Sequence, residues 1–444
     1  MRIVIIGNGI SGVTAARFIR KRSDHDITIV SAETAYFYSR TALMYIYMGH
    51  MRFKDTQPYE PWFWKKNRID LLQDQVVRID PIHKTIHLKN NPALPYDKLI
   101  VATGSKSNKF GWPGQDLEGV CGLYSFQDLE YMESHSKNLQ RAVIVGGGLI
   151  GIEMAEMFHS RNIPVTMLVR ENSYWNTILP EEESAMINRH IREYGIDLRL
   201  STELRSIEDD GTGHVKRVIT SAGETITCGY VGLTAGVSPN IDLATDAGIE
   251  TRKGILVNDY LETSIPDIYA VGDCVELRQA RPGRRAIEAV WYVGRMMGET
   301  VAYNVLGGAL AYDPGVWFNS AKFFDIEYQV YGDVPASPDS HHVSLYWEHP
   351  DGKKSIRIVY HQESGAVLGF NLMGVRYRHE VCDQWITGGT HIEEVLTSLG
   401  LANFDPEFYE QHESEIVALY NRQAGRTLSL KQKRGLDAVL QWLH

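Results

Sequence analysis

The chain has 444 residues, 43% of them hydrophobic and 23% charged, enough for roughly two to three domains that each bury a core. No apolar run approaches the ~20 residues of a membrane-crossing helix, and the formal net charge of -10 disfavours non-specific attraction to nucleic acid or anionic lipid. Cys121, Cys228, Cys274 and Cys382 lie far apart with no C-x-x-C pair, so the sequence suggests neither a disulfide framework nor a zinc site, but buried thiols.

The first run, "RIVIIGNGISGVTAARFIRKR" from Arg2, predicts a strand, a tight turn and a helix. Its apolar part is too short for the core of a signal peptide, and a cytoplasmic location is expected. Gly7 permits the turn, Gly9 lets a pyrophosphate approach the backbone, and Gly12 lets the helix pack on the strand. The helix start at Ile10 and Ser11 supplies N–H groups and positive dipole. A second strand-like run, "DITIVSAE", ends at Glu33, ~20 residues past the glycines, where an acid accepts both hydroxyl hydrogens of an adenosine ribose. Next comes "YFYSRTALMYIYMG", Tyr36 to Gly49, with five aromatics, one arginine and no cysteine or lysine.

The strand, turn and helix then recur as "RAVIVGGGLIGIEMAEMFHSRNIPVTMLVRE", with Gly146, Gly148, Leu149, Ile150 and Gly151 at the turn and a further strand near Val165. A chain with two dinucleotide sites can keep one cofactor and exchange the other, which is how a flavin enzyme takes hydride from a nicotinamide. From Ala311 onward, "VWFNSAKFFDIEYQVYG", "HHVSLYWEH", "KSIRIVYHQ" and "AVLGFNLMG" read as four strand-like runs, followed by a helical region from Arg378 to the end. His341, His342, His379 and His412 have no metal-ligand spacing, and no metal is expected.

Three further stretches complete a series: "YDKLIVATGS" (Tyr96 to Ser105), "GLTAGVSPNIDL" (Gly232 to Leu243) and "TSIPDIYAVGDCVE" (Thr263 to Glu276). Together with both glycine turns, this order resembles the pyridine nucleotide-disulfide oxidoreductase superfamily of two-dinucleotide-binding-domain flavoproteins, up to about residue 310. The resemblance implies an α/β fold of two Rossmann-like domains plus a C-terminal α+β interface domain. The FAD domain would take residues 1–110 and 235–310, the NAD(P)H domain 111–234, and the interface or dimerisation domain 311–444. It also implies site residues. Gly7, Gly9, Ile10, Ser11 and Gly12 would hold the FAD pyrophosphate, Glu33 its ribose, and Val77 would place its backbone on the adenine. Ala102, Thr103 and Gly104 would mark the exit from the FAD domain, and Gly272 and Asp273 would hold the ribityl chain and pyrophosphate. A helix beginning around Glu288 to Tyr292 would aim its N-terminus at the flavin pyrimidine edge, with Trp291 either on the flavin or in the core. Gly146, Gly148, Leu149, Ile150 and Gly236 would serve the nicotinamide nucleotide, and Glu153 matches a glutamate near the flavin and nicotinamide.

Members that reduce disulfides carry a cysteine in the loop that here runs from Tyr36 to Gly49. Without it thiolate chemistry on the flavin has no nucleophile, which excludes lipoamide, glutathione and thioredoxin reductase behaviour. "YFYSRTAL" resembles instead the branch of ferredoxin reductases, rubredoxin reductases and the flavin half of nitrite reductase, in which Arg40 would lie by the flavin or its phosphates. Ferredoxin reductases of that branch place a lysine where this chain has Tyr45, so Glu153 loses its expected cation. Arg40, Tyr45 and Glu153 are therefore the candidate catalytic residues. Val169 stands where NAD-preferring members put an acid, and Arg170 could pair with a 2′-phosphate, which leans to NADPH. Asn176 in place of a second arginine, and Glu171 as a ribose ligand, keep NADH open.

The expected protein is an FAD-dependent NAD(P)H oxidoreductase, a homodimer that passes electrons to a ferredoxin- or rubredoxin-like carrier without a cysteine relay. The alternatives are an NAD(P)H oxidase or quinone reductase, and a flavin-binding regulatory or interaction protein with little turnover.

Overall fold

The computed structural model describes residues 1–431. The central strand, β1 (Arg2–Ile6), buries four consecutive branched side chains, as a strand covered on both faces must. It sits inside a five-stranded parallel sheet whose order is Ile268–Ala270, Lys98–Val101, β1, β2 (Asp26–Ser31) and β3 (Ile69–Gln73). Because β2 lies on one side of β1 and Lys98–Val101 on the other, the sheet changes direction at the carboxyl end of β1. That is where an open α/β sheet leaves a crevice.

Between β1 and β2 runs α1 (Ile10–Arg20), and the connection to β3 carries two short helices, α2 (Leu43–Tyr47) and α3 (Pro61–Lys66). A capped helix, α4 (Phe126–His135), begins at Ser125, whose hydroxyl accepts the Asp128 N–H. The second parallel sheet has the order Asp197–Arg199, Val165–Leu168, Ala142–Val145, Tyr230–Leu233 and Val120–Cys121. Its central strand Ala142–Val145 leads into α5 (Leu149–Ser160), repeating the β1–α1 unit.

Contacts divide the chain into two compact units: one of Met1–Asn172 and Tyr194–Pro314, the other of Ser173–Glu193 and the chain from Gly315 onward. Both parallel sheets belong to the first. So do α7 (Asp242–Asp246) and α8 (Trp291–Val305), the latter crossing α1 so closely that Gly298 has Ser11 O at 2.5 Å from where a Cβ would stand.

The second unit is built on an antiparallel sheet of five strands, ordered Phe318–Phe323, Ile326–Gly332, Val367–Met373, Ser355–His361 and His342–Glu348. The sequence predicts four strands here. "VWFNSAKFFDIEYQVYG" is in fact two, folded into a hairpin at Phe324 and Asp325, where Phe324 takes a φ of 54° that its residue type does not advertise. Helices α9 (His379–Thr387), α10 (Ile392–Thr397) and α11 (Glu413–Ala424) join this sheet in a core that includes Phe370, Trp385, Leu396 and Ile416. The expected helical region extends past them to residues 432–444, which lie outside the described residues. The excursion carrying α6 (Glu181–Glu193), which the sequence sets inside the second nucleotide unit, packs with this sheet through Arg357. Among the described residues no helix is long and apolar enough to cross a membrane.

Candidate functional site

The crevice above β1 is a cavity of about 960 Å³ in the first unit. Its floor is the first glycine turn. Gly7 has a φ of 109°, and a Cβ there would overlap the Ala102 carbonyl, so only glycine lets the turn lie against the Ala102–Gly104 segment. A Cβ at Gly12 would overlap the Gly7 carbonyl, so Gly12 is required by packing of α1 on the turn rather than by the cavity, which it does not line. Gly9 differs: a Cβ there would meet nothing within 4 Å. Gly9 is also the N-cap of α1 and has no side chain to satisfy the first N–H groups, which are left for an anion.

Gly7, Gly9, Ile10 and Ser11 line the cavity, as do Ala102, Thr103 and Gly104. Val77, Asp273 and Trp291 line it too, whereas Gly272 is buried beneath, with Ser11 Oγ where its Cβ would go. The helix expected around Glu288 to Tyr292 starts at Trp291. From the second glycine turn, Leu149, Ile150 and Glu153 reach the same cavity; Gly146, Gly148, Arg170 and Gly236 do not line it. A Cβ at Gly148, like one at Gly9, would meet nothing within 4 Å, while one at Gly146 would press on Thr234 O at 2.6 Å.

Glu33 lines the cavity but is already heavily engaged. Arg40 donates to both its carboxylate oxygens, at 3.0 and 2.7 Å, the Phe126 N–H donates at 2.8 Å, and the Tyr38 hydroxyl adds a further bond. Burial alone would raise the Glu33 pKa, but the Arg40 hydrogen bonds and charge hold it below the usual carboxylate value. Arg40 also donates to the Tyr124 carbonyl and stacks over its ring at 4.6 Å.

Tyr124 is a site residue that the sequence does not reveal. Its hydroxyl accepts the Ser105 N–H at 2.8 Å and donates to Asp273 at 3.1 Å. Burial raises the pKa of Asp273 in spite of that bond. Asp74, whose pKa is lowered first of all by the Asn91 amide, also lines the cavity. So do Asp242 and Asp246 of α7.

Tyr45 does not line the cavity; its ring stacks on His50 with centroids 6.2 Å apart. Leu43 and Met44 face the cavity from α2 instead. Among the described residues lining the cavity Arg40 is the one cation, so Glu153 has no partner there of opposite charge. Burial, then the neighbouring Glu156, pushes the Glu153 pKa up to about 7. No cysteine lines the cavity either. Burial lifts the thiols of Cys121 and Cys228 to about 12, and raises Cys274 and Cys382 too, so none is a thiolate at neutral pH.

A family model described as pyridine nucleotide-disulphide oxidoreductase matches residues 1–298, two glycine turns and the crevice between them included. The chain belongs to that family. Among relatives, it is 30% identical over 281 residues to the rubredoxin-NAD(+) reductase of Pseudomonas putida, covering 63% of this chain and 73% of the relative. It is 29% identical to the nitrite reductase (NAD(P)H) of Bacillus subtilis over 83% of this chain, and spans only 45% of that protein's length. A solved NAD-dependent persulfide reductase from A. fulgidus superposes with a TM-score of 0.83 and 25% identity, over 96% of this chain and 84% of that one. The family and the mixed α/β fold with parallel Rossmann-like sheets are thus those that the sequence motifs imply.

The strand registers also relate the two halves. Ile6 pairs with Val30 and Val145 with Leu168, so Glu171, three residues past Leu168, occupies the place that Glu33 holds past Val30. Glu171 accepts from the Arg170 guanidinium at 2.8 Å; the Arg170 side chain is 71% exposed and that of Glu171 26%.

Proposed function

We propose that the protein is an FAD-dependent NAD(P)H oxidoreductase that delivers electrons to a ferredoxin- or rubredoxin-like carrier without a thiol relay. The observation that carries this reading is convergence: Gly7 to Ser11 of the first glycine turn, and Leu149, Ile150 and Glu153 following the second, face one cavity. Family membership implies FAD and a nicotinamide nucleotide, and the residues fit both, since Gly9 and Gly148 face open space where a side chain would obstruct a pyrophosphate. When bound, FAD supplies hydride acceptance and onward electron transfer.

The chain's own part is to bind, orient and hold protons. Gly7, Gly9, Ile10 and Ser11 would receive the FAD pyrophosphate at the start of α1, with Gly12 letting α1 pack on the turn, and Asp273, fixed by Tyr124, would accept from the ribityl chain. Oε2 of Glu33 takes only one of the bonds to Arg40 and keeps acceptor capacity for a ribose hydroxyl. Glu153, with no cation among the cavity-lining residues, keeps its proton on a carboxyl oxygen until the pH reaches about 7, and below that faces the nicotinamide side as a hydrogen-bond donor. Leu43 and Met44 give the wall an apolar, water-excluding surface where a thiol relay would otherwise stand. Gly146, Gly148, Leu149 and Ile150 would receive the nicotinamide nucleotide. The exposed Arg170 is free to turn from Glu171 to a 2′-phosphate, which is the ground for NADPH, while Glu171, in the place that Glu33 holds in the first half, would read the free ribose of NADH. The exposed Phe404, Phe408 and Tyr409 of the second unit support a homodimer, and we place it in the cytoplasm.

Anaerobic mixing with NADPH and NADH tests the reading. Flavin bleaching in milliseconds is expected, faster with NADPH, and no bleaching over minutes overturns it in favour of a binding protein with little turnover. Steady-state rates with ferredoxin, rubredoxin, a quinone and oxygen then identify the acceptor; equal slow rates with all four overturn a dedicated carrier.

A further inference from the structure

Away from the cavity, the carboxyl ends of α1 and α3 are fixed together by Arg20. Its guanidinium donates to the carbonyls of Ser23 and His25, which follow α1, at 2.9 and 2.6 Å, and to those of Asn67 and Arg68, which follow α3, both at 2.7 Å. Cations crowd both ends. Arg17 lies over the Tyr59 ring at 4.8 Å, Lys21 and Arg22 over Phe18 at 4.7 and 5.4 Å, and Lys66 over Trp62 at 5.2 Å. None of these four has an ion-pair partner among the described residues, nor has the exposed Lys65. A helix dipole accounts for cations in a last turn. It does not account for the Trp62 indole, 60% exposed on the same short helix as Lys65 and Lys66.

A cavity of about 440 Å³ beside these cations is walled by the exposed Asp24, Asp26 and Asp70 as well as by Arg20, Lys65 and Arg68, so a small free anion gains little by entering it. Arg17, Lys21, Arg22, Lys66 and the Trp62 indole do not line it, and with the exposed Lys65 they form the combination suited to a surface with an anionic layer above an apolar one. We propose that this face docks onto an anionic phospholipid surface, with Arg17, Lys21, Arg22, Lys65 and Lys66 on the headgroup phosphates and Trp62 at the boundary below them. An acidic protein surface would answer the cations but offers no apolar layer for Trp62. The net charge of -10 is no obstacle at close range, because screening over ~8 Å in physiological salt removes most of the influence of distant carboxylates, and of the nearer ones Asp24 is already paired with Arg68. The eleven residues of α1 set the face about 16 Å from the turn at Gly9, so it acts as a tether and leaves the cavity free. The proposal does not depend on which acceptor the flavin serves.

Sedimentation of the full-length, flavin-loaded protein with vesicles tests it. Binding is expected to mixed phosphatidylglycerol and phosphatidylcholine vesicles at low salt, with little to phosphatidylcholine alone and loss in molar salt. Each cation removed should weaken binding about fivefold, so Lys65→Ala with Lys66→Ala loses about 25-fold. Trp62→Ala should lower the binding that survives at intermediate salt. All variants are surface changes whose flavin content should match the parent, and Lys89→Ala with Lys137→Ala serves as the charge-matched control. No binding to anionic vesicles at low salt, or an equal loss in the control, overturns the proposal. So does binding of polyglutamate without binding of vesicles, which would assign the face to an acidic protein.

Discussion

The Glu33 carboxylate accepts from Arg40 twice, from Tyr38 and from Phe126, and Arg40 alone brings a compensating charge. Removing that charge leaves a half-buried anion held only by neutral donors. Arg40→Ala is expected to cost about 1–3 kcal/mol, below the figure for a fully buried pair because both side chains keep some solvent. The lowered pKa of Glu33 means that this stability is fully present above the ordinary carboxylate value and fades as the pH falls through the lowered one. Urea unfolding of parent and variant should therefore diverge at pH ~7 and converge in acid. Glu153 has the opposite sign. Between its ordinary value of 4.5 and about 7 the unfolded chain has lost its proton and the folded one keeps it, so stability falls as the pH rises through that window and levels off beyond. Glu153→Gln should flatten that slope, seen as a smaller drop in Tm from mildly acidic to mildly alkaline buffer. Retention of the full slope would show that Glu153 is not the group responsible.

At the scale of elements, α1 and α8 cross with their backbones close together. A Cβ at Gly298 would stand 2.5 Å from Ser11 O and 2.9 Å from the Thr14 Cβ, and one at Gly294 would stand 2.6 Å from Ser11 Oγ. Gly298→Ala would gain up to about 1 kcal/mol in helix propensity, but the new methyl meets backbone, which cannot rotate aside. Overpacking of about 1–3 kcal/mol should win, and because Ser11 belongs to the first glycine turn, flavin affinity should fall with stability. A variant as stable as the parent, with unchanged flavin content on gel filtration, would contradict this. These glycines also show what can be read from a sequence. Gly7 and Gly9 are legible because a turn that admits a phosphate dictates its own residues and spacing. Tyr124 is not. The capping box of Ser125 and Asp128 marks the start of α4, but nothing local tells that the preceding tyrosine will meet Asp273, 149 residues on. Tyr45 shows the converse. Counting from Arg40 identifies the position, but α2 turns Leu43 and Met44 toward the cavity.

For the molecule as a whole, the order of the chain and the order of its packing part company at Ser173. The Rossmann pattern announces the strand Val165–Leu168 and then falls silent, and the segment that follows packs with the second unit. Tyr174 and Trp175 pack on Phe323 and Arg189 pairs with Glu348, but the contact buried deepest is an ion pair. Arg357, with 6% of its side chain exposed, donates at 2.8 Å to each carboxylate oxygen of Glu183, which is wholly buried, and at 2.6 Å to Glu182 at the surface. Burial raises the Glu183 pKa even against the pull of Arg357, so the anion is tolerated there only while the guanidinium remains. Arg357→Met should therefore destabilise by about 3–5 kcal/mol, far more than a lost surface pair, because the charge left behind has no water to replace its partner. In that variant Glu183 can recover only by taking up a proton, so the loss should shrink as the pH is lowered. Adding Glu183→Leu removes the stranded charge and should restore most of the stability, since a pair of buried ions replaced by apolar side chains of like volume is often neutral. Thermal unfolding of the parent, the single variant and the double variant decides it. If the double variant is no better than the single one, the loss comes from Arg357's packing over the Tyr346 ring of the neighbouring strand, 4.6 Å away, rather than from the stranded charge.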